Sequence, residues 1–167
     1  PESPLIAKCM VRLNDYFYRT GKYAVAANVC GQFLEQYPEH ELASRMAYRQ
    51  GQCHFRDAEA MKAAAEAEGA PKGGRMPAEI GAAYMKAAKA YDVLIDRFTD
   101  ADVELRAGAL FWAGQCYHRG GDYASAYRRY RRCTWDYPDT DFARHARGQL
   151  MTPEIQAAEQ AEVSGKK

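Results

Sequence analysis

From Tyr23, apolar or small side chains fall at Tyr23, Ala26, Cys30 and Phe33, a spacing of i, i+3, i+7 and i+10 that lays them on one stripe of a helix. One hundred residues on, Tyr123, Ala126, Tyr130 and Cys133 repeat that stripe. The register extends beyond it. Gly21, Tyr37 and Pro38 recur as Gly121, Tyr137 and Pro138, while the charged residues between them drift. Small and aromatic positions held in register under a varying surface mark a repeated packing unit. A third copy lies between the two: Gly51-Gln52-Cys53 matches Gly114-Gln115-Cys116, and Tyr84, Ala87 and Tyr91 match Tyr123, Ala126 and Tyr130. Tyr16, Cys53 and Cys116 then share one equivalent position.

Each unit reads as two helices. The first ends near Gly21 or Gly121, where glycine permits a tight turn. The second ends at Tyr-Pro or Phe-Thr, because a helix cannot continue through Pro38 or Pro138. The small Ala in the stripe lets the partner helix approach, and aromatics fill the gaps beside it. One helical pair alone cannot bury such a face, but stacked pairs can. The second unit breaks the rhythm. Between Cys53 and Tyr84 lie 31 steps, against seven between Cys116 and Tyr123. The excess predicts a helical pair lengthened by about two turns per helix, protruding on the order of 11 Å at 1.5 Å per residue and closed by the basic loop around "GAPKGGRMP". After the third unit, "DFARHARGQLM" predicts a further first helix that Pro153 interrupts. "PEIQAAEQAEV" then reads as a short capping helix or as the stump of a longer stack.

Taken together, Gly114, Tyr117, Gly121, Ala126, Tyr130 and Pro138 resemble the pattern of the tetratricopeptide repeat (TPR) family, helix–turn–helix units of roughly 34 residues. The first unit departs from it at Asn14 and Cys30, and the second at His54 and Thr99. The resemblance implies an all-α, right-handed α-α superhelix of about three repeats plus a C-terminal partial repeat or cap. The expected boundaries are a single domain over 1–163 and a flexible tail at 164–167. Within the domain, repeats fall at about 5–38, 41–99 and 102–138, an extended hairpin is inserted at about 58–82, and the partial repeat covers 140–163. The "YP-(D/E)" endings are similar to those of the bacterial envelope subgroup, such as Tol–Pal-associated and outer-membrane-assembly TPR proteins.

The composition changes little in this picture. Alanine is abundant and β-branched residues are scarce, which favours helices. A net charge of +1 argues against a general grip on nucleic acid, and no apolar run approaches the ~20 residues of a membrane span. The five cysteines show no CxxC pair, so zinc and dithiol redox readings fail and core positions are expected. The four histidines form no HExxH. Cys116 and His118, two apart on a helix, point to different faces. "RRYRR" at Arg128 reads as a solvated face around a core Tyr130. No catalytic constellation and no cofactor site emerges.

What remains is a groove. The resemblance implies that the first helices line a concave surface, with contact positions at Lys8, Val11, Asp15, Tyr18 and Arg19 in the first unit. In the second these are Arg45, Tyr48, Gln52, Phe55 and Arg56; in the third, Gly108, Phe111, Gln115, His118 and Arg119. Arg beside an aromatic is a composition common at binding hot spots, and Asp15 is the one acid among these positions. The expected function is a non-catalytic scaffold or adaptor holding a protein or peptide with an acidic segment. The alternatives are a self-associating structural module and an appendage of a larger enzyme or transport assembly. The subgroup resemblance implies an envelope or periplasmic setting, while five unpaired cysteines suit the cytoplasm.

Overall fold

The computed structural model describes residues 4–70 and 77–165. It contains helices α1 (Pro4–Arg19), α2 (Tyr23–Gln36), α3 (Ala43–Ala67), α4 (Ala78–Arg97), α5 (Val103–Arg119), α6 (Tyr123–Asp136), α7 (Asp141–Leu150) and α8 (Pro153–Ser164). There is no strand among the described residues. Each of α1 to α6 packs chiefly on the helices before and after it, α7 packs on α6 and α5, and α8 folds back onto α6, so the chain is an all-α solenoid of stacked helical pairs.

The turns show why the helices stop where they do. Gly21 and Gly121 adopt left-handed φ values of 75° and 85°. Behind each, the next residue's N–H reaches back to close the helix: Lys22 to the Phe17 carbonyl and Asp122 to the Tyr117 carbonyl, both at 2.9 Å. Gly69 (φ 101°) ends α3 in the same way, with the Ala70 N–H donating to the Ala65 carbonyl at 3.0 Å. This closing motif satisfies carbonyls the helix leaves unpaired, and the left-handed residue it requires is cheapest as glycine. Starts are set by side-chain caps at Asp102, Asp122 and Thr140, whose oxygens accept from the first-turn N–H groups of α5, α6 and α7.

The second pair is the long one. α3 has 25 residues against 16 in α1 and 17 in α5, and α4 has 20 against 14 in α2 and α6. Lys72 and Arg75, at the centre of the expected basic loop, lie outside the described residues. So do Lys166 and Lys167; Ser164, from the same expected tail, belongs to α8.

The core follows the stripes. Ala26, Cys30 and Phe33, Ala87 and Tyr91, and Ala126, Tyr130 and Cys133 are buried between layers. Two stripe positions differ from expectation. Tyr123 is 38% exposed, because at the first turn of α6 its ring reaches only His118, 5.4 Å away. Tyr16 is exposed although Cys53 and Cys116 are fully buried, since α3 and α5 each have a preceding second helix to cover that position and, among the described residues, α1 has none. For the same reason Cys9 is exposed, while Cys30, Cys53, Cys116 and Cys133 are buried and free.

The first unit also solves a packing problem that its sequence poses. In the other two units the mid-helix glycine is pressed against a tyrosine: a Cβ at Gly51 would stand 2.6 Å from the Tyr91 ring, and one at Gly114 2.6 Å from Tyr130. In α1 the large and small partners are exchanged. Asn14 is 1% exposed and fills the space that Cys30, replacing a tyrosine, leaves open. Its amide donates to the Ala26 carbonyl at 2.9 Å and to Cys30 Sγ at 3.0 Å, so the polar group is not buried without partners.

"RRYRR" needs a correction. Tyr130 is in the core and Arg128 and Arg131 are exposed, as expected. Arg129 is not solvated: its Nε and Nη2 donate to the two Asp92 oxygens at 2.7 and 3.0 Å. Tyr117 donates to the same carboxylate at 2.6 Å, and the Arg129 guanidinium lies 5.7 Å from the Tyr117 ring. This cluster pins α4, α5 and α6 together.

Candidate functional site

Two adjoining hollows open where α1, α3 and α5 meet. The larger, about 360 Å³, is lined by Val11 and Asp15 of α1, Arg45, Tyr48 and Gln52 of α3, and Leu105 of α5, among others. The smaller, about 110 Å³, is lined by Tyr18, Gln52, Phe55, Arg56, Tyr91 and Trp112. Gln52 is common to both. The first helices supply nearly every wall because the short turns at Gly21 and Gly121 return α2 and α6 to the other side of the stack.

The structure thus gathers Val11, Asp15, Tyr18, Arg45, Tyr48, Gln52, Phe55 and Arg56. It engages the third-unit positions elsewhere. The Phe111 ring packs against Phe142 at 5.9 Å and Trp112 at 5.4 Å, in the contact between α5 and α7. His118 lies against Tyr123 and Tyr130, and burial depresses its pKa. Gly108 is occupied by close approach, since a Cβ there would meet the Phe142 ring and the Tyr48 hydroxyl at 3.1 Å. Lys8 and Arg19 are exposed on α1 and line neither hollow, and Gln115 is half-buried outside both.

The electrostatics differ from a face opposed by Asp15 alone. Glu59 is a second acid there: it accepts from Arg119 and from the Tyr84 hydroxyl. Its pKa is held below the ordinary value because these hydrogen bonds and the Arg119 charge outweigh the opposing effect of burial. The Arg119 guanidinium lies over the Phe55 ring, 5.1 Å from its centroid, so this arginine is spent inside the wall. Asp15 is likewise taken by Arg49, which also donates to Asn14 Oδ1 at 3.2 Å and lies 4.6 Å over the Tyr18 ring. Two acids and two arginines therefore cancel within the surface. Arg45 and Arg56 remain exposed and form no salt bridge among the described residues; Arg56 donates to the Tyr18 hydroxyl at 3.3 Å.

Trp112 and Tyr91 of the smaller hollow and Arg49 of the larger were not among the expected positions. Trp112 sits one residue after the expected Phe111, so a one-step error in helical phase separates the two. Burial pushes the neighbouring Tyr48 phenol up to about 12, against the opposing influence of Trp112.

Two family models described as tetratricopeptide repeat match the chain, one over residues 13–75 and one over 108–140. A comparison with curated proteins finds no match.

Proposed function

Because this chain is a tetratricopeptide repeat protein, and such repeats generally mediate protein–protein interaction, we propose that it is a non-catalytic scaffold whose concave face holds an acidic segment of a partner protein. The observation that carries this reading is the pair of exposed arginines, Arg45 and Arg56, which line the hollows without a salt bridge among the described residues, while Asp15 and Glu59 are paired with Arg49 and Arg119. A guanidinium–carboxylate contact at such a half-sheltered site is charge-assisted and orients the partner. The family endings that resemble envelope proteins favour a bacterial envelope assembly as the setting.

The test compares two pairs of arginines. Arg45→Ala with Arg56→Ala is expected to weaken binding of short acidic peptides by roughly tenfold or more, about 1.4 kcal/mol, without lowering Tm. Arg128→Ala with Arg131→Ala, on exposed α6 positions, should change little. Equal effects from the two pairs, read by fluorescence anisotropy, would move the interface off the concave face.

A second reading, association through the solenoid edge, is favoured by one feature. Leu5, Ile6, Leu13 and Tyr16 are 69, 51, 45 and 58% exposed on α1, and grouped exposed apolar side chains of this kind mark interaction surfaces. If this edge self-associates, light scattering across a dilution series will show mass rising with concentration and Leu13→Glu will abolish the rise. A constant monomer mass would leave the edge reading without support.

A further inference from the structure

The smaller hollow is assembled from all three repeats. Tyr18 comes from α1, Gln52, Phe55 and Arg56 from α3, Tyr91 from α4 and Trp112 from α5. Its volume, about 110 Å³, is that of roughly four waters at ~30 Å³ each, enough for one side chain and not for a run of them. The buried Tyr91 closes its base, and the Phe55 and Trp112 rings stand 5.2 Å apart at 59°.

Boxes of aromatic rings often take cations, whose charge is drawn to the negative ring faces. Here that guest is disfavoured. The Arg49 guanidinium already covers the Tyr18 ring, Arg56 stands in the wall, and no carboxylate lines the slot. A neutral ring meets no such charge penalty and gains edge-to-face contacts with the ring walls. Gln52 walls both hollows, so a chain leaving the slot passes it. Its Oε1 accepts weakly from Arg49 at 3.4 Å, and its amide N–H groups have no acceptor among the described residues.

We propose that this slot is the anchor pocket for a single aromatic side chain of the partner segment, with a neighbouring partner carboxylate held by Arg56. The inference rests on the concave-face reading and adds its selectivity: one aromatic ring flanked by acid, and no cationic guest.

Trp112 makes the slot report on itself. The chain has two tryptophans, and Trp135→Phe, at a position 80% exposed on α6, leaves Trp112 as the emitter. The probes are N-acetylated, C-amidated peptides Glu-Glu-Phe-Glu-Glu, with Ala or Lys replacing Phe in the controls. The Phe peptide is expected to shift Trp112 emission and to bind about tenfold or more tighter than the Ala peptide, with the Lys peptide no tighter than Ala. Trp112→Leu should erase the preference for Phe over Ala while sparing the residual affinity for the Ala peptide, read by anisotropy. Should that variant fail to fold, the peptide comparison on the otherwise unchanged chain decides alone. If Phe and Ala peptides bind alike and Arg45→Ala with Arg56→Ala weakens both, the slot is refuted and the concave face stands. Tighter binding of the Lys peptide also refutes the slot, and binding of none of the peptides overturns slot and concave reading together.

Discussion

Gly114→Ala is expected to destabilise the protein by about 1–3 kcal/mol, although alanine in place of a mid-helix glycine ordinarily gains ~1 kcal/mol. The added methyl would stand 2.6 and 2.7 Å from Cε1 and Cδ1 of Tyr130, so the ring, itself fully buried, must leave its well-packed site. Gly51→Ala meets the same obstacle in Tyr91, at 2.6 to 2.8 Å. The decisive experiment copies the first unit into the third. Gly114→Asn alone should be more harmful than Gly114→Ala, and adding Tyr130→Cys should recover part of the loss by opening the space that Cys30 leaves for Asn14. Urea denaturation followed by circular dichroism measures each variant. Strict additivity of the two single changes would show that the positions do not share one volume.

The second large effect belongs to Arg129. Arg129→Ala is expected to cost about 2–3 kcal/mol, because Asp92, only 15% exposed, would keep its charge after losing both guanidinium bonds. Tyr117 would then be the remaining donor to that carboxylate. Arg128→Ala, one residue away but exposed, removes a 3.3 Å contact to Ser125 Oγ and should stay within about 0.5 kcal/mol. The paired measurement is a pair of denaturation curves at neutral pH. Equal midpoints for the two variants would refute the inward cluster.

The helical scaffold was legible in the sequence because its causes are local. Gly21, Gly121, Pro38 and Pro138 stop helices through their own backbone chemistry, and the stripes of Ala and aromatics show their period within a dozen residues. The walls of the candidate hollows were legible in the first two units, where Tyr18, Gln52, Phe55 and Arg56 fall on successive first helices. What escaped depends on contacts between units. Arg119 with Glu59 spans 60 residues, Arg129 with Asp92 spans 37 and Arg49 with Asp15 spans 34; no spacing rule within a helix brings such pairs together. Phe111 and Trp112 were confused for a subtler reason. Adjacent residues on α5 differ by about 100° in direction, and both are half-buried aromatics. The packing of α7 decides between them by claiming Phe111. The exchange at Asn14 and Cys30 was visible as two departures from pattern, and only their contact shows them to be one.

That exchange has a genetic consequence. Tandem repeats invite unequal crossing-over, and an exchange of whole units would carry Asn14 together with Cys30, or Gly114 together with Tyr130, leaving each interior filled. A breakpoint inside a unit, at the turn glycine, would instead pair asparagine with tyrosine in one product and glycine with cysteine in the other. The first product is overfilled and the second hollow, and both lie on the losing side of close packing. Selection on such recombinants would therefore favour breakpoints between units over those within them, and the first unit would be inherited as an indivisible cassette.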